Sequence, residues 1–369
     1  MNAAVPPSGP SPSIAGKRRA GLRERLSARS LDALLLTSLP NIRYMTGFTG
    51  SNALAVITRR GGLFVSDSRY RLQSAAEVKG LKRVIGSAGL LEDAAAARAL
   101  ARCRNAGFEA DSLTYAQYRS LKKLFPRVAF RPVTGLVEDM ALVKDRDEIA
   151  AIAGAARVAD SVFRDVLKAI RAGATELDIA AEITWLTRRR GGDADAFDVI
   201  VASGPNGALP HARPGARKIR TGDFVIMDFG AVVQGYCSDL TRTVCVGAAP
   251  RAMRKAYDAV LEAHAAALRA AHGDMPARAL DAAARGVLRR RGFGRYFTHS
   301  LGHGLGLRVH ERPRVSPASG ETLRTGSVIT IEPGVYIPGK GGVRIEDDVL
   351  LEGGGCRLLT ASPRQLILL

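Results

Sequence analysis

The sequence predicts an α+β protein: a smaller α/β domain followed by a larger one in which strands are grouped and long helices interspersed. Three observations carry that reading. Strand and helix signals alternate over residues 33–125, long helical patterns recur from residue 145 onward, and residues 132–140 form a junction between the two regimes. A length of 369 residues suits about two domains. An apolar fraction of 46% at a mean hydropathy of zero supplies ample material for buried cores.

In chain order, residues 1–16 (MNAAVPPSGPSPSIAG) read as a low-complexity tail, expected to be disordered. A helical stretch follows, with Leu22 and Leu26 spaced four apart among charges. Residues 33–37, 52–58 and 62–67 have strand patterns and 70–78 and 114–125 helical ones, giving a first domain over 17–138. The second domain, 139–369, opens with a helix over 145–170, where Ile149, Ile152, Ala156, Ala159 and Phe163 recur at helical spacing. Residues 176–190, 250–271 and 276–291 are its further helices, and 198–202, 224–233, 236–246, 328–332 and 343–351 its strands. Trp185 is expected to be a packing residue, and His264 and His272 structural or surface residues.

Composition removes several function classes. No apolar run approaches the roughly 18 residues that span a bilayer, and the N-terminus lacks the apolar stretch of a secretion signal, so a cytoplasmic protein with no membrane partner is expected. Four cysteines without a paired spacing read as free thiols, not a disulfide framework or zinc ribbon. The net charge of +19 invites a nucleic-acid hypothesis, but the charge is spread. Residues 1–140 hold 22 Lys/Arg against 10 Asp/Glu and the remainder 32 against 25, surpluses of 12 and 7. The runs Arg188-Arg189-Arg190 and Arg289-Arg290-Arg291 fall at predicted helix ends, where they suit the helix dipole. Aromatics at 5% are thin for base stacking, so the charge reads as solvated surface with no nucleic-acid partner.

The chemistry lies in the strands of the second domain. Asp228 interrupts the apolar run Phe224-Val225-Ile226-Met227-Asp228-Phe229, and a carboxylate inside a buried strand is costly unless something pairs with it. A two-residue hairpin centred on Gln234-Gly235 pairs Gly230 with Asp239 and points Asp228 and Asp239 to one face, roughly 7 Å apart at Cβ. Two like charges that close need a shared proton or a cation; the bland alternative is two surface acids, with Asp239 paired to Arg242. Glu332 ends the apolar strand of Ile329-Thr330-Ile331, and Glu346 lies in Val343-Arg344-Ile345-Glu346, where Arg344, two residues away, shares its face and can steady the acids. His299 and His303 have the spacing of a helical metal pair, but Gly302 and Gly304 make a regular helix there improbable. Four carboxylates and one imidazole form a hard, oxygen-rich set that favours two divalent manganese ions, with cobalt, zinc or iron possible. Two such ions about 3.5–4 Å apart can acidify a bridging water and polarise an amide carbonyl.

Together, Met227-Asp228-Phe229-Gly230, the run Gly235 to Thr243, Gly302-His303-Gly304, Ile331-Glu332-Pro333-Gly334 and Arg344-Ile345-Glu346-Asp347 resemble the dinuclear metallopeptidases of the pita-bread (creatinase-like) fold, the family of aminopeptidase P, prolidase and methionine aminopeptidase. The run Tyr44 to Asn52 and Ser66-Asp67-Ser68-Arg69-Tyr70 resemble that family's N-terminal creatinase-type domain, and Val143-Lys144-Asp145 its linker helix. The resemblance implies that Asp228, Asp239, His303, Glu332 and Glu346 bind the metals, with Asp239 and Glu346 bridging. It further implies that Glu332 accepts the proton of the attacking water, that His211 contacts substrate and shuttles the proton, and that His310 and His299 lie near the scissile bond. The implied reaction is hydrolysis of Xaa-Pro bonds at the N-terminus of peptides or dipeptides by a metal-bridging hydroxide, in a homodimer. The other activities that the fold admits are a small-molecule hydrolase or lyase, like ectoine hydrolase, creatinase or the sulfonium lyases, and a non-catalytic RNA- or protein-binding relative.

Overall fold

A computed structural model describes residues 12–369, which form two compact units that divide between Ala141 and Leu142. Of the tail expected over 1–16, residues 1–11 lie outside the described residues, and a helix begins at Pro12. The first unit runs α1 (Pro12–Ala28), β1 (Ala33–Leu36), α2 (Leu39–Thr46), β2 (Leu54–Thr58), β3 (Gly62–Asp67), α3 (Arg71–Glu77), β4 (Lys82–Gly86), α4 (Leu90–Ala96), β5 (Asn105–Glu109), α5 (Tyr115–Leu124), β6 (Ala129–Val133) and α6 (Glu138–Ala141). Its strands form one mixed sheet in the order β4-β3-β2-β1-β5-β6. Leu35, Val56, Val65, Leu91, Phe108 and Leu121 pack into its core. Three of these six strands, β4, β5 and β6, escape a reading by hydrophobic pattern, and for the two edge strands the reason is physical. The edge strand β4 is largely exposed and begins Lys82-Arg83, while β6 holds Pro132, which only an edge strand tolerates.

The second unit runs α7 (Arg146–Val166), α8 (Glu176–Arg189), β7 (Ala194–Asp195), β8 (Ile200–Ser203), β9 (Phe224–Phe229), β10 (Ala231–Val233), β11 (Tyr236–Cys237), β12 (Leu240–Cys245), α9 (Arg251–Ala270) and α10 (Ala277–Arg290). It continues with β13 (Gly302–Gly304), β14 (Glu311–Val315), β15 (Val328–Ile331), β16 (Gly334–Ile337), β17 (Gly341–Arg344), β18 (Asp347–Glu352) and β19 (Gly355–Leu358). Capping boxes start the first two helices: Asp145 with Glu148, and Thr175 with Asp178. The apolar faces of α7 and α8 pack on the β12-β9-β8 sheet through Val162, Phe163, Ile183, Val225, Met227 and Val244. Those of α9 and α10 pack on β15, β17 and β18 through Val260, Leu280, Leu288, Ile329, Val343 and Val349. The whole is an α+β protein, as the grouping of strands and helices implied.

Several expectations change. Residues 224–233 and 236–246 are not single strands: they divide into β9 and β10 and into β11 and β12, and the halves belong to different sheets. Residues 343–351 are not one strand: β17 ends at Arg344 and β18 starts at Asp347, leaving Ile345 and Glu346 between them. Trp185 is 50% exposed on α8 instead of packed, with the Arg189 guanidinium 4.8 Å from its ring centroid. The four cysteines are free thiols.

Candidate active site

The hairpin that carries the two aspartates forms because Gln234 and Gly235 both adopt positive φ, 50° and 76°, the pairing a tight primed turn requires. Val232 faces Cys237 on one side of the ladder and Phe229 faces Leu240 on the other. That single register sets Gly230 level with Asp239 and places Thr241 opposite Asp228. A side chain at Gly230 would collide with the Ser238 carbonyl, so the close approach that brings Asp239 inward requires glycine there.

One pocket of about 570 Å³ is lined by all nine residues singled out from the sequence: Asp228, Asp239, His303, Glu332, Glu346, His211, His299, His310 and Arg344. Several strands deliver them. Asp228 comes from β9, His303 from β13, Glu332 follows β15, and Glu346 sits in the break between β17 and β18. Single ligand atoms of Asp239, His303 and Glu346 lie within 4.8 Å of one another. His303 Nε2 is 3.4 Å from Glu332 Oε1 and 3.7 Å from Asp239 Oδ2.

The protonation pattern suits cation binding. The His303 Nδ1 contact at 3.0 Å is to the Gly304 carbonyl, which can only accept, so the proton sits on Nδ1 and the Nε2 lone pair faces the acids. Burial lowers the His303 pKa to about 4, so the ring is neutral at pH 7. Burial first, then Glu346 and Asp228, pushes Asp239 well above the usual carboxylate range, and burial with Glu332 and Asp228 does the same to Glu346. Burial raises Glu332 to about 8 although Arg344 opposes it. Oδ1 of Asp228 and Oδ1 of Asp239 are buried with no hydrogen-bond partner. Unpaired inward oxygens, clustered acids that cannot all stay charged unaided and a neutral imidazole together fit divalent cations.

Arg344 is the fixed cation of the site. It pairs with Asp228 Oδ2, and Nε donates to Thr241 Oγ1 at 3.1 Å, Nη1 to Tyr336 Oη at 2.6 Å and to the Pro210 carbonyl at 3.3 Å. Burial works against its charge, but Tyr336, Asp228 and Glu332 hold its pKa well above the ordinary value. His299 spends both nitrogens: Nδ1–H donates to the Ser300 carbonyl at 2.8 Å, and Nε2 accepts from the Tyr336 hydroxyl at 3.0 Å. His310 stacks edge-on to His303 with ring centroids 4.3 Å apart and is exposed, as is His211. Asp239 does not pair with Arg242, whose guanidinium turns away to Asp347 at 2.8 Å and to the Glu346 carbonyl at 2.5 Å. Asp239 N–H donates instead to the buried Asp348 at 3.0 Å.

Thr241, Tyr336, Arg314, Phe197 and Ile200 belong to the site and escaped the sequence reading. Thr241 donates to Glu346 at 2.5 Å, and its position two residues after Asp239 could have disclosed it. Tyr336 becomes visible only once β16 and β17 fold back on each other with Gly334 opposite Arg344, which puts Tyr336 beside the arginine. Phe197, Ile200 and Arg314 line the pocket from distant segments with no local signal.

The profile of metallopeptidase family M24 matches residues 150–352, and that of the creatinase/prolidase N-terminal domain matches 18–143. An uncharacterized peptidase of Bacillus subtilis, YqhT, is 40% identical over 94% of this chain and 99% of its own length. Among solved structures, the Xaa-Pro dipeptidase from Bacillus anthracis superposes with a TM-score of 0.93 at 38% identity, covering 96% of this chain and 100% of that one. The X-Pro aminopeptidase from Thermotoga maritima gives 0.87 at 35%, covering 94% and 99%. Acids and imidazole converging on one buried pocket, on a chain similar to these proteins nearly end to end, have one explanation: the chain belongs to metallopeptidase family M24, a pita-bread catalytic domain preceded by a creatinase/prolidase N-terminal domain.

Proposed function

We propose that this chain is a metal-dependent hydrolase of Xaa-Pro bonds at the N-terminus of small peptides, with dipeptides preferred. The observation that carries the reading is the convergence of four carboxylates and a neutral imidazole in one pocket with histidines at its rim. The similarity to proteins named Xaa-Pro dipeptidase and X-Pro aminopeptidase supports the prolyl substrate. Asp228, Asp239, His303, Glu332 and Glu346 would hold two divalent cations, manganese in first place and cobalt, zinc or iron as alternatives, with Asp239 and Glu346 shared between them. When bound, such cations supply a water acidic enough to attack at neutral pH and a Lewis acid for the carbonyl.

The protein's own groups do the rest. Glu332 takes the proton of the attacking water and returns it towards the proline nitrogen, a transfer suited to a carboxylate beside the cations. His211 and His310, at the rim, stabilise charge developing on the carbonyl oxygen and pass the proton to the leaving nitrogen. His299, with both nitrogens engaged, holds Tyr336 and through it Arg344. The apolar walls Phe197, Ile200 and Val309 accept the side chain before proline. Arg314 lines the pocket with no ion pair among the described residues, and a dipeptide's terminal carboxylate would give it one. The homodimer and a cytoplasmic setting complete the proposal; no helix among the described residues is long and apolar enough to cross a membrane. Hydrolysis of an Xaa-Pro dipeptide, an Xaa-Pro tripeptide and a non-prolyl control, with and without manganese, tests it. Manganese-dependent cleavage of the prolyl substrates alone is expected, and no cleavage by the manganese-loaded protein would move the assignment to a small-molecule hydrolase or lyase. Light scattering after gel filtration reads the dimer.

A further inference from the structure

We propose that Glu176, which does not line the pocket, is the positioning residue for His211, because it fastens both ends of the loop that carries it. The segment from Gly204, just after β8, to Gly215 has a single short 3-10 turn at Gly204–Ala208 and otherwise no regular structure. Glu176, at the first position of α8, is fully buried, which is expensive for a carboxylate without a cationic partner. Dipoles satisfy it instead. Its Oε1 accepts from the Ser203 N–H at 2.7 Å and the Ser203 hydroxyl at 2.8 Å, and the Asn206 amide donates to both oxygens at 3.1 Å. At the far end of the loop the Gly215 N–H donates to Oε2 at 3.3 Å. The α8 N-terminus adds its own favourable field. Beneath, Arg217 ties the Ser203 hydroxyl at 2.5 Å to Asp223 at 2.7 Å.

Between those ends the loop rests on β17. A Cβ on Gly342 would lie 2.0 Å from the Gly207 carbonyl, and Arg344 donates to the Pro210 carbonyl at 3.3 Å, one residue before His211. The carboxylate thus closes the loop, and the strand of Arg344 supports its middle, so an exposed histidine on irregular backbone is held against one wall of the pocket. The inference rests on the reading that His211 acts on substrate.

Glu176→Gln keeps the size of the side chain, removes its charge and turns an NH2 towards the Asn206 or Gly215 donors. Hydrogen-exchange mass spectrometry of the full manganese-loaded chain should show amides of residues 204–216 exchanging about tenfold faster, with manganese stoichiometry unchanged. Turnover of an Xaa-Pro dipeptide should fall about 10- to 100-fold in kcat with a smaller change in KM, the scale expected when a catalytic group is displaced by about an ångström. In a His211→Ala background the same substitution should cost nothing further. Unchanged exchange over 204–216, or a full additional loss in the His211→Ala background, would overturn the proposal. If Glu176→Gln does not fold, Asn206→Ala removes one of the donors and is read in the same way. If the wild-type protein cleaves no prolyl substrate, the hydrolase reading fails while the exchange rates still decide whether Glu176 fastens the loop.

Discussion

Arg344 and Asp239 show how the residues of this site divide the work. Arg344 is a permanent cation that steadies Asp228, whereas burial and the neighbouring acids push Asp239 well above the usual carboxylate range, so that a bound cation would favour its charged form. Asp239→Asn should abolish hydrolysis and lower the bound metal measured by elemental analysis; unchanged stoichiometry would remove its bridging role. His211→Ala should keep the metals and lower turnover by about 10²- to 10⁴-fold, leaving a measurable residual rate, since none of the four acids and the imidazole of the cluster depends on it. Arg344→Met leaves Asp228 buried and unpaired, and such a loss costs about 3–5 kcal/mol, so urea unfolding of this variant should shift to markedly lower denaturant. Arg314→Met, by contrast, should raise KM for a dipeptide several-fold and leave a tripeptide amide nearly unaffected.

Two hairpins set the positions of these residues, and each depends on a glycine. Gly235 at φ 76° completes the turn that aligns Asp228 with Asp239. Replacing it with alanine should cost about 1–2 kcal/mol in thermal or urea unfolding, the penalty of a Cβ in left-handed backbone. Gly342 on β17 is tighter, because an added Cβ meets the Gly207 carbonyl at 2.0 Å. Gly342→Ala should push the His211 loop off β17, lowering kcat while manganese stoichiometry stays the same. A fold back of β16 on β17 also explains why the break at Ile345-Glu346 does no harm: Arg344 and Glu346 reach one pocket from the end of one strand and the start of the next, without strict alternation.

For the whole molecule, the site is a source of pH-dependent instability that metal relieves. Asp239, Glu332 and Glu346 have pKa values above those of the unfolded chain, so in the metal-free protein the fold favours their protonated forms. That stabilisation is complete below about pH 4.5 and is lost as the pH rises through the folded values, about 8 for Glu332. The melting temperature of the chelated protein should therefore fall as the pH is raised from 5 towards 8 by the action of these groups. Because cations require the ionised acids, metal binding should release protons and tighten with pH, which calorimetry in buffers of different ionisation enthalpy reads directly. Manganese at a hundredfold excess over its Kd adds about 2.7 kcal/mol, enough to raise the melting temperature of a unit this size by roughly 5–10 °C. A flat profile between chelated and loaded protein would show that the acids are not the metal site.

The long amphipathic helices, the Gln234-Gly235 hairpin and the acids Asp228, Asp239, Glu332 and Glu346 were legible in local pattern: helical spacing, a turn that demands positive φ, carboxylates in or beside apolar strands; His211, His299 and His310 had no such pattern and were named only through the family resemblance. The α+β class followed from how those patterns are grouped. Edge strands such as β4 and β6 left little trace, since an exposed edge needs no apolar face and tolerates Lys82, Arg83 and Pro132. Which residues meet across distance was settled by packing. Tyr336 joins His299 to Arg344, Arg242 turns to Asp347 instead of Asp239, Trp185 faces solvent, and Glu176 holds a loop more than twenty-five residues downstream through contacts with Ser203, 27 positions away. A buried polar group must find its partner wherever the fold brings one, and that choice belongs to the packed chain, with no local pattern to announce it.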